Sequence, residues 1–420
     1  MVRARVTLVS RIFAPEPSAA TFRLGALVRA LAGEGARLEV VTAQAPDGAH
    51  SPAGRPGDIP ARIRRAPVLR DASGYVRGYL PYLSFDVPLL WRLLRGRCPD
   101  VYVVEPPPTT GAVVRVISAL RRVPYVYYAA DVWSDASAST GAPDVVVRLV
   151  RALESWVLRG AAVVLSVNEG VTERVEALGA RHVVTVGNGV DTEVFTPSPT
   201  HANPPSSSES SSGRAEADSD GEGGFRRGSQ IPDGPFLLYA GTASEWQGAE
   251  VFAEAMPRVL EEVPSAQVVF LGQGSSWDRL SLLAAGLPEA AVTLRDPVSA
   301  AESAIWQQRA SAALVSLRPG IGYDFAMPTK MFAALACGTP VLFAGPAQSP
   351  AARLVEDERL GWVTDQDPAE VAQAMIAALQ APDEPGEPER RVAWVREHRS
   401  LAAVGERAAA AVLGVVSRER

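Results

Sequence analysis

The stretch Leu317-Arg318-Pro319-Gly320-Ile321-Gly322-Tyr323-Asp324-Phe325-Ala326-Met327-Pro328-Thr329-Lys330-Met331-Phe332-Ala333-Ala334-Leu335-Ala336-Cys337-Gly338-Thr339-Pro340-Val341 reads as strand, loop, helix entry, helix, turn and strand. It holds Lys330, the only lysine of the chain; every other residue among the 41 lysines and arginines is arginine. A chain so committed to arginine would supply it wherever any cation serves. A lysine at a helix entry therefore points to a need for a compact point charge, as in phosphate binding, with backbone N–H groups and the helix dipole aimed at the same anion. A solvated surface lysine is the plain alternative.

Outward from that stretch the chain reads as two α/β domains joined by a linker. With 420 residues it is too long for one ordinary core, and two domains of roughly 180 residues are expected. Val6–Val9, a helix over 19–32 with Leu24, Leu27, Val28 and Leu31 at helical spacing, and Leu38–Thr42 open the chain as β-loop-α-β, the start of a doubly wound sheet. Strands follow at Asp100–Val104, Pro124–Tyr128, Val163–Val167 and Val183–Val186, with a helix over Val145–Leu158. Pro46–Ala72, rich in Pro, Gly and Arg and without a period, reads as a long loop. Between Pro197 and Pro235 the composition turns to Ser, Pro, Gly, Glu and Asp, too poor in apolar residues to offset its ordering entropy, so this segment reads as a disordered boundary. A second strand and helix series begins at Phe236, and Arg390–Val416 reads as a closing helix. The domains are thus expected at 1–196 and 236–385, with the linker at 197–235 and a terminal helix at 386–420 packing back toward the first domain.

Several function classes are excluded or disfavoured. A net charge of −6 and no basic cluster interleaved with aromatics leave no nucleic-acid footprint. Two distant cysteines, Cys98 and Cys337, support neither a zinc site nor a disulfide framework and fit a reducing cytoplasm. The four histidines stand alone. No apolar run approaches the ~20 residues of a membrane span, and the N-terminal run is too short for a signal peptide. Tyr75-Val76-Arg77-Gly78-Tyr79-Leu80-Pro81-Tyr82-Leu83 and Trp91-Arg92-Leu93-Leu94-Arg95-Gly96-Arg97 mix aromatics with arginines. They could touch a lipid-linked acceptor at a membrane surface, or supply core aromatics to a domain helix.

Pro328-Thr329-Lys330-Met331-Phe332 followed by Ala336-Cys337-Gly338-Thr339-Pro340-Val341 resembles the donor-sugar site of family 4 glycosyltransferases, notably the bacterial subfamily that adds sugars to cell-surface glycans. There the lysine faces the nucleotide diphosphate. Further segments carry the resemblance. Phe13-Ala14-Pro15-Glu16-Pro17-Ser18-Ala19-Ala20 is similar to the family's first loop, with Glu16 and Ser18 on the acceptor or phosphate side and Arg23 matching a recurrent arginine behind it. Ala129-Ala130-Asp131-Val132-Trp133 is similar to the family's Asp-Leu-Trp and makes Asp131 the candidate for orienting the acceptor hydroxyl, with a loop cap as its structural alternative. Gly187-Asn188-Gly189-Val190-Asp191 resembles the segment before the interdomain linker. Gly241-Thr242 and Gly272 resemble donor-side turns, and Arg295-Asp296-Pro297-Val298 the loop over the nucleobase. The resemblance implies an α/β protein of GT-B fold: two Rossmann-like doubly wound domains facing across a cleft, the second holding a nucleotide sugar, expected to be UDP-linked. It implies retention of anomeric configuration, no metal and no cofactor. Lys330 and Asp131 are the expected catalytic residues, and Gly241, Thr242, Gln247, Gly272, Asp296, Val298, Arg318, Asp324, Pro328 and Thr329 the further donor-binding ones. The enzyme would transfer a hexosyl or aminohexosyl group to a glycan, lipid-linked or small-molecule acceptor from the cytoplasm, at the inner membrane face when peripheral.

The match departs from the family in four places, the first being Ser18-Ala19-Ala20 where the family's first loop usually has glycine, so backbone approaches the donor phosphates less freely. Gln247 stands where a lysine is usual, and Ala333 and Phe325 stand where carboxylates are usual, the one at Ala333 binding the donor ribose; Asp324 is adjacent to the second, but a one-residue shift turns a side chain elsewhere. A non-catalytic GT-B partner of an active transferase is therefore the alternative to an enzyme, and a nucleotide-sugar epimerase a third reading.

Overall fold

The computed structural model describes residues 4–16, 18–46, 59–70, 76, 78–139, 143–198, 231–320, 324–381 and 384–418. Most of the expected linker, and Ile321-Gly322-Tyr323 of the opening stretch, lie outside the described residues. The chain divides into two compact units, residues 1–190 with 397–420, and residues 191–396.

The N-terminal unit runs β1 (Arg5–Val9), α1 (Ala19–Gly33), β2 (Arg37–Ala43), β3 (Arg62–Ala66), α2 (Tyr79–Arg95), β4 (Val101–Val104) and α3 (Pro108–Arg121). It continues β5 (Tyr125–Ala129), α4 (Trp133–Ser139), α5 (Asp144–Gly160), β6 (Val163–Ser166), α6 (Glu169–Ala177) and β7 (Val183–Thr185). All strands are parallel in the order β3-β2-β1-β4-β5-β6-β7. β4 and β5, Val-Tyr-Val-Val and Tyr-Val-Tyr-Tyr-Ala, are buried at every position. Such unbroken apolar runs belong to strands covered on both faces, which is why they carry no alternation.

The C-terminal unit runs β8 (Phe236–Thr242), α7 (Glu250–Glu262), β9 (Gln267–Gln273), α8 (Trp277–Ala285), β10 (Val292–Arg295), α9 (Ala300–Arg309), β11 (Ala312–Ser316) and α10 (Lys330–Ala336). β12 (Val341–Ala344), α11 (Pro350–Asp357), β13 (Gly361–Thr364), α12 (Pro368–Gln380) and α13 (Glu387–His398) follow. The parallel order is β10-β9-β8-β11-β12-β13. Both sheets reverse direction beside their first strand, between β1 and β4 and between β8 and β11. At such a switch point the helices diverge to opposite faces and leave a crevice at the strand carboxyl ends.

Two local expectations are corrected. The stretch read as a loop over Pro46–Ala72 contains β3, whose arginines stay exposed or half-exposed on a sheet edge while Ala66 is buried. Three arginines in five residues hide the strand locally, and pairing with β2 creates it. The closing helix is two helices, α13 and α14 (Leu401–Arg418), broken at Arg399–Ser400. The Ser400 hydroxyl caps α14 by accepting from Ala403 N at 3.1 Å, and Leu401 N donates to Val190 O at 2.9 Å. α14 then lies along α1 so closely that a Cβ on Gly405 would sit 2.7 Å from the Ala26 carbonyl oxygen.

Candidate functional site

In the C-terminal unit a cavity of about 270 Å³ opens at the carboxyl ends of β8 and β9, next to the switch point between β8 and β11. Gly241 and Thr242 end β8, Gly272 and Gln273 end β9, Pro297 and Val298 follow β10, and Ser303, Gln307, Lys330 and Ala333 come from α9 and α10. The two glycines are required here. Gly241 has φ +125°, and a Cβ on Gly272 would lie 2.1 Å from the Gly241 carbonyl oxygen, so any larger residue would push the strand ends apart. A larger cavity of about 670 Å³ lies at the opposite, amino-terminal edge of the sheet, against Ser311, Pro340 and Gly361. The smaller one is the stronger candidate, because the strand carboxyl ends and a cation with no carboxylate partner among the described residues meet there.

That cation is Lys330. Its Nζ donates to the Thr242 carbonyl at 3.0 Å and stands 3.8 Å from the centroid of the buried Tyr239 ring. No carboxylate among the described residues pairs with it. Burial lowers its pKa from the ordinary lysine value to about 7. A desolvated ammonium held by a carbonyl and an aromatic face keeps unspent charge for an incoming anion. The backbone of the same turn contributes less than the sequence suggested. α10 has only seven residues, and Met331 N and Phe332 N donate to Pro328 O and Thr329 O at 3.3 and 3.1 Å.

The other expected donor residues spread around this cation. Gly272 and Val298 line the cavity with Gly241 and Thr242. Gln247 is buried and serves the domain's own structure, its Oε1 3.0 Å from the Tyr239 hydroxyl and accepting from Ser244 N at 3.1 Å. Through that tyrosine it braces the ring beneath Lys330. Arg318 forms an ion pair with Glu250 at 3.4 Å. Asp296, Asp324 and Thr329 are exposed and Pro328 is buried, and none of the four lines the cavity. Ala333 does line it, so the position where the family places a carboxylate here presents a methyl group. Gln307, missed by the sequence reading, also lines the cavity; it is 2% exposed and its Oε1 has no hydrogen-bond partner. Its only sequence signal is a glutamine four residues after Ser303 on a helix that otherwise looks like an ordinary crossover.

The N-terminal unit gathers charge at its own strand carboxyl ends. Arg23 on α1 forms an ion pair with Glu105 after β4, and both are largely buried. Burial opposes the Arg23 charge, but Glu105 and its neighbours outweigh it and the pKa is raised. Glu16 pairs with Arg70 at 2.9 Å, and Ser18 caps α1 by accepting from Thr21 N at 3.1 Å, so both have partners inside the unit. Asp131, past the end of β5, is exposed as a residue, yet protein crowded around its carboxyl raises its pKa; the Arg23 charge opposes this and Glu105 adds to it. Arg11, also unremarked in the sequence, is buried with its guanidinium 3.8 Å over the Tyr82 ring, and its Nε and Nη1 lack partners.

Residues 19–189 match the glycosyl transferase 4-like domain, and residues 234–381 match the domain of the glycosyl transferases group 1. With two parallel doubly wound sheets carrying these two domains, the chain is a glycosyltransferase of GT-B type. Solved structures share the fold along nearly the whole length. HepE of Anabaena, crystallised with UDP and glucose, superposes with a TM-score of 0.66 at 15% identity, covering 98% of this chain and 100% of that one. Sucrose-phosphate synthase of Thermosynechococcus elongatus gives 0.59 at 16%, covering 99% and 97%. A putative UDP-N-acetylglucosamine 2-epimerase of Listeria monocytogenes gives 0.59 at 14%, covering 99% and 98%. At these identities the likeness establishes the fold alone. No curated protein sequence matches this chain.

Proposed function

We propose that the chain is a retaining, family 4 glycosyltransferase that moves a hexosyl or aminohexosyl group from a UDP-linked sugar to a glycan or lipid-linked acceptor of the cell surface. The observation that carries this reading is Lys330: an ammonium with no carboxylate partner among the described residues, beside a cavity at the carboxyl ends of β8 and β9. Departure of a nucleoside diphosphate from an anomeric carbon puts negative charge on the leaving oxygens. A fixed cation and backbone N–H donors in a water-poor pocket are worth several kcal/mol to that step. HepE, with the same fold, is held with UDP and with UDP-glucose, which favours a uridine nucleotide.

The roles divide between the units. Lys330 and the Gly241–Thr242 turn receive the diphosphate, and the remaining wall (Leu271, Pro297, Val298, Ala333) receives the nucleoside, with Gln307 offering it an unpaired acceptor. In the N-terminal unit, Asp131 orients the acceptor hydroxyl. The bond from C1 to the diphosphate breaks with its electron pair on the leaving group. The acceptor oxygen bonds C1 on the same face, and its proton passes to the departing phosphate oxygen beside it. The nucleotide sugar is a co-substrate, the reading invokes neither metal nor cofactor, and the setting is cytoplasmic.

Ala333 favours a second reading, a GT-B protein that partners an active transferase without catalysing transfer. Thermal melting with UDP, GDP and dTDP, followed by UDP release from UDP-sugars, separates the two. A ligand at one hundred times its Kd stabilises by about 2.7 kcal/mol. Melting shifts with UDP and turnover abolished in Lys330→Ala support the enzyme. No shift with any nucleotide favours the partner.

A further inference from the structure

We infer that Gln307 accepts a hydrogen bond from a ribose hydroxyl of the donor nucleotide and so sets which nucleotides the site admits. The inference rests on the nucleotide-sugar reading above and names the part of the nucleotide that this residue reads. Gln307 lies on α9 and lines the cavity beside Lys330. Its main-chain carbonyl accepts from the Thr339 hydroxyl, which holds the residue from behind, and the residue is buried with Oε1 unpartnered. A buried acceptor without a donor is a cost that folding alone does not call for, and a ligand O–H or N–H in the cavity removes it.

The order of groups in a nucleotide says which part arrives there. With the diphosphate on Lys330, the ribose is joined directly to it and the base lies beyond. α9 and α10 each follow a strand of a parallel sheet, so both start at the carboxyl ends and run back toward the amino ends. Ala333 is therefore about 4.5 Å inward of Lys330, and Gln307 about 6 Å inward of Ser303. The two helices pack on each other. Ala333 on one and Gln307 on the other thus frame the inner end of the cavity, next in line after the diphosphate, while Pro297 and Val298 leave an apolar rim for the base.

The rest of the wall leaves the amide as the group for this task. No aspartate or glutamate among the described residues lines the cavity, and the Ala333 methyl accepts nothing. The Thr242 carbonyl already takes the Lys330 Nζ and the Tyr239 hydroxyl. Thr242 and Gln273 are exposed and Ser303 is half-buried, so their side chains keep access to water. A neutral acceptor also spares the cation. A carboxylate at position 333, one helical turn from Lys330, would pair with the ammonium and draw on the charge that the diphosphate uses.

Calorimetry of the full chain with UDP, 2′-deoxy-UDP and 3′-deoxy-UDP tests this. Wild type should bind one of the two deoxy nucleotides about tenfold more weakly than UDP, the worth of one buried hydrogen bond. Gln307→Leu should bind UDP and that deoxy nucleotide equally. Adding Ala333→Glu to Gln307→Leu should restore the discrimination from the facing helix. It should also reduce the protons taken up with UDP at pH 8, because Lys330 is then charged before the nucleotide arrives. Equal wild-type affinity for all three nucleotides, or discrimination retained in Gln307→Leu, overturns the proposal. Weaker UDP binding by Gln307→Leu without any deoxy penalty in wild type overturns it in favour of a contact to the base. Failure of wild type to bind UDP overturns it together with the transferase reading, whereas UDP binding without ribose discrimination leaves that reading standing.

Discussion

Replacing Lys330 by methionine removes the cation and keeps most of the apolar stem. The folded ammonium titrates at about 7 because burial disfavours its charge. The unfolded one titrates near the ordinary value of about 10.4. Between these values the unfolded state holds more protons, so stability rises with pH across the window; below about 7 both states are protonated and the whole burial penalty is present. A gap of this size has an upper bound of about 4–5 kcal/mol, and screening at a partly exposed group reduces it to about 1–3 kcal/mol. Lys330→Met should therefore be more stable than wild type by about that amount at pH 6.5, with the advantage vanishing toward pH 10. A bound diphosphate reverses the balance by holding the ammonium charged. At pH 8 the free lysine is about one-tenth protonated, so UDP binding should take up about 0.9 proton. Calorimetry of UDP binding in buffers of differing ionisation enthalpy measures this directly. The variant should bind UDP about a hundredfold more weakly, as loss of a charge-assisted contact of about 2–3 kcal/mol dictates, and take up no proton. Wild-type binding at pH 8 without proton uptake, or an unchanged Kd in the variant, refutes the phosphate role.

Gln307→Leu should weaken UDP about tenfold while leaving the apo melting temperature equal or higher, because an unpaired buried acceptor costs about 1–3 kcal/mol; calorimetry and thermal melting read the two effects. Asp131→Asn should lower turnover about a hundredfold with little change in UDP affinity, since general acid–base and orienting groups contribute about 10²–10⁴; steady-state kinetics beside a nucleotide titration checks it. Gly405→Val should destabilise by about 1–3 kcal/mol through overpacking against Ala26, measured by urea unfolding, whereas Gly414→Val, with open space around its Cβ position, should cost less than Gly405→Val.

Much of the architecture was legible because it is written in local composition. The apolar runs of β4 and β5 announce buried parallel strands, and the singular Lys330 announces a site that arginine would not serve. Other features depend on residues far apart in the chain. β3 exists because an arginine-rich segment pairs with β2, and its own five residues do not specify a strand. Gln247 resembles a donor-site residue in sequence, yet its amide is bonded within the domain, bracing the Tyr239 ring. The α13–α14 break rests on Ser400 and its bridge to Val190, more than two hundred residues earlier.

Composition and periodicity were enough to show two α/β halves and to mark Lys330 as the candidate for a phosphate contact. The folded chain shows what the sequence did not: this ammonium lies over an aromatic ring beside an apolar wall, Gln307 is left with an unpaired acceptor, and Leu80, Leu83, Val87 and Trp91 of α2 face outward. The physical reason is one of range. Backbone preference and hydrophobic periodicity act over a few neighbours, whereas desolvation, orphaned hydrogen bonds and exposure are set by what the rest of the chain places alongside.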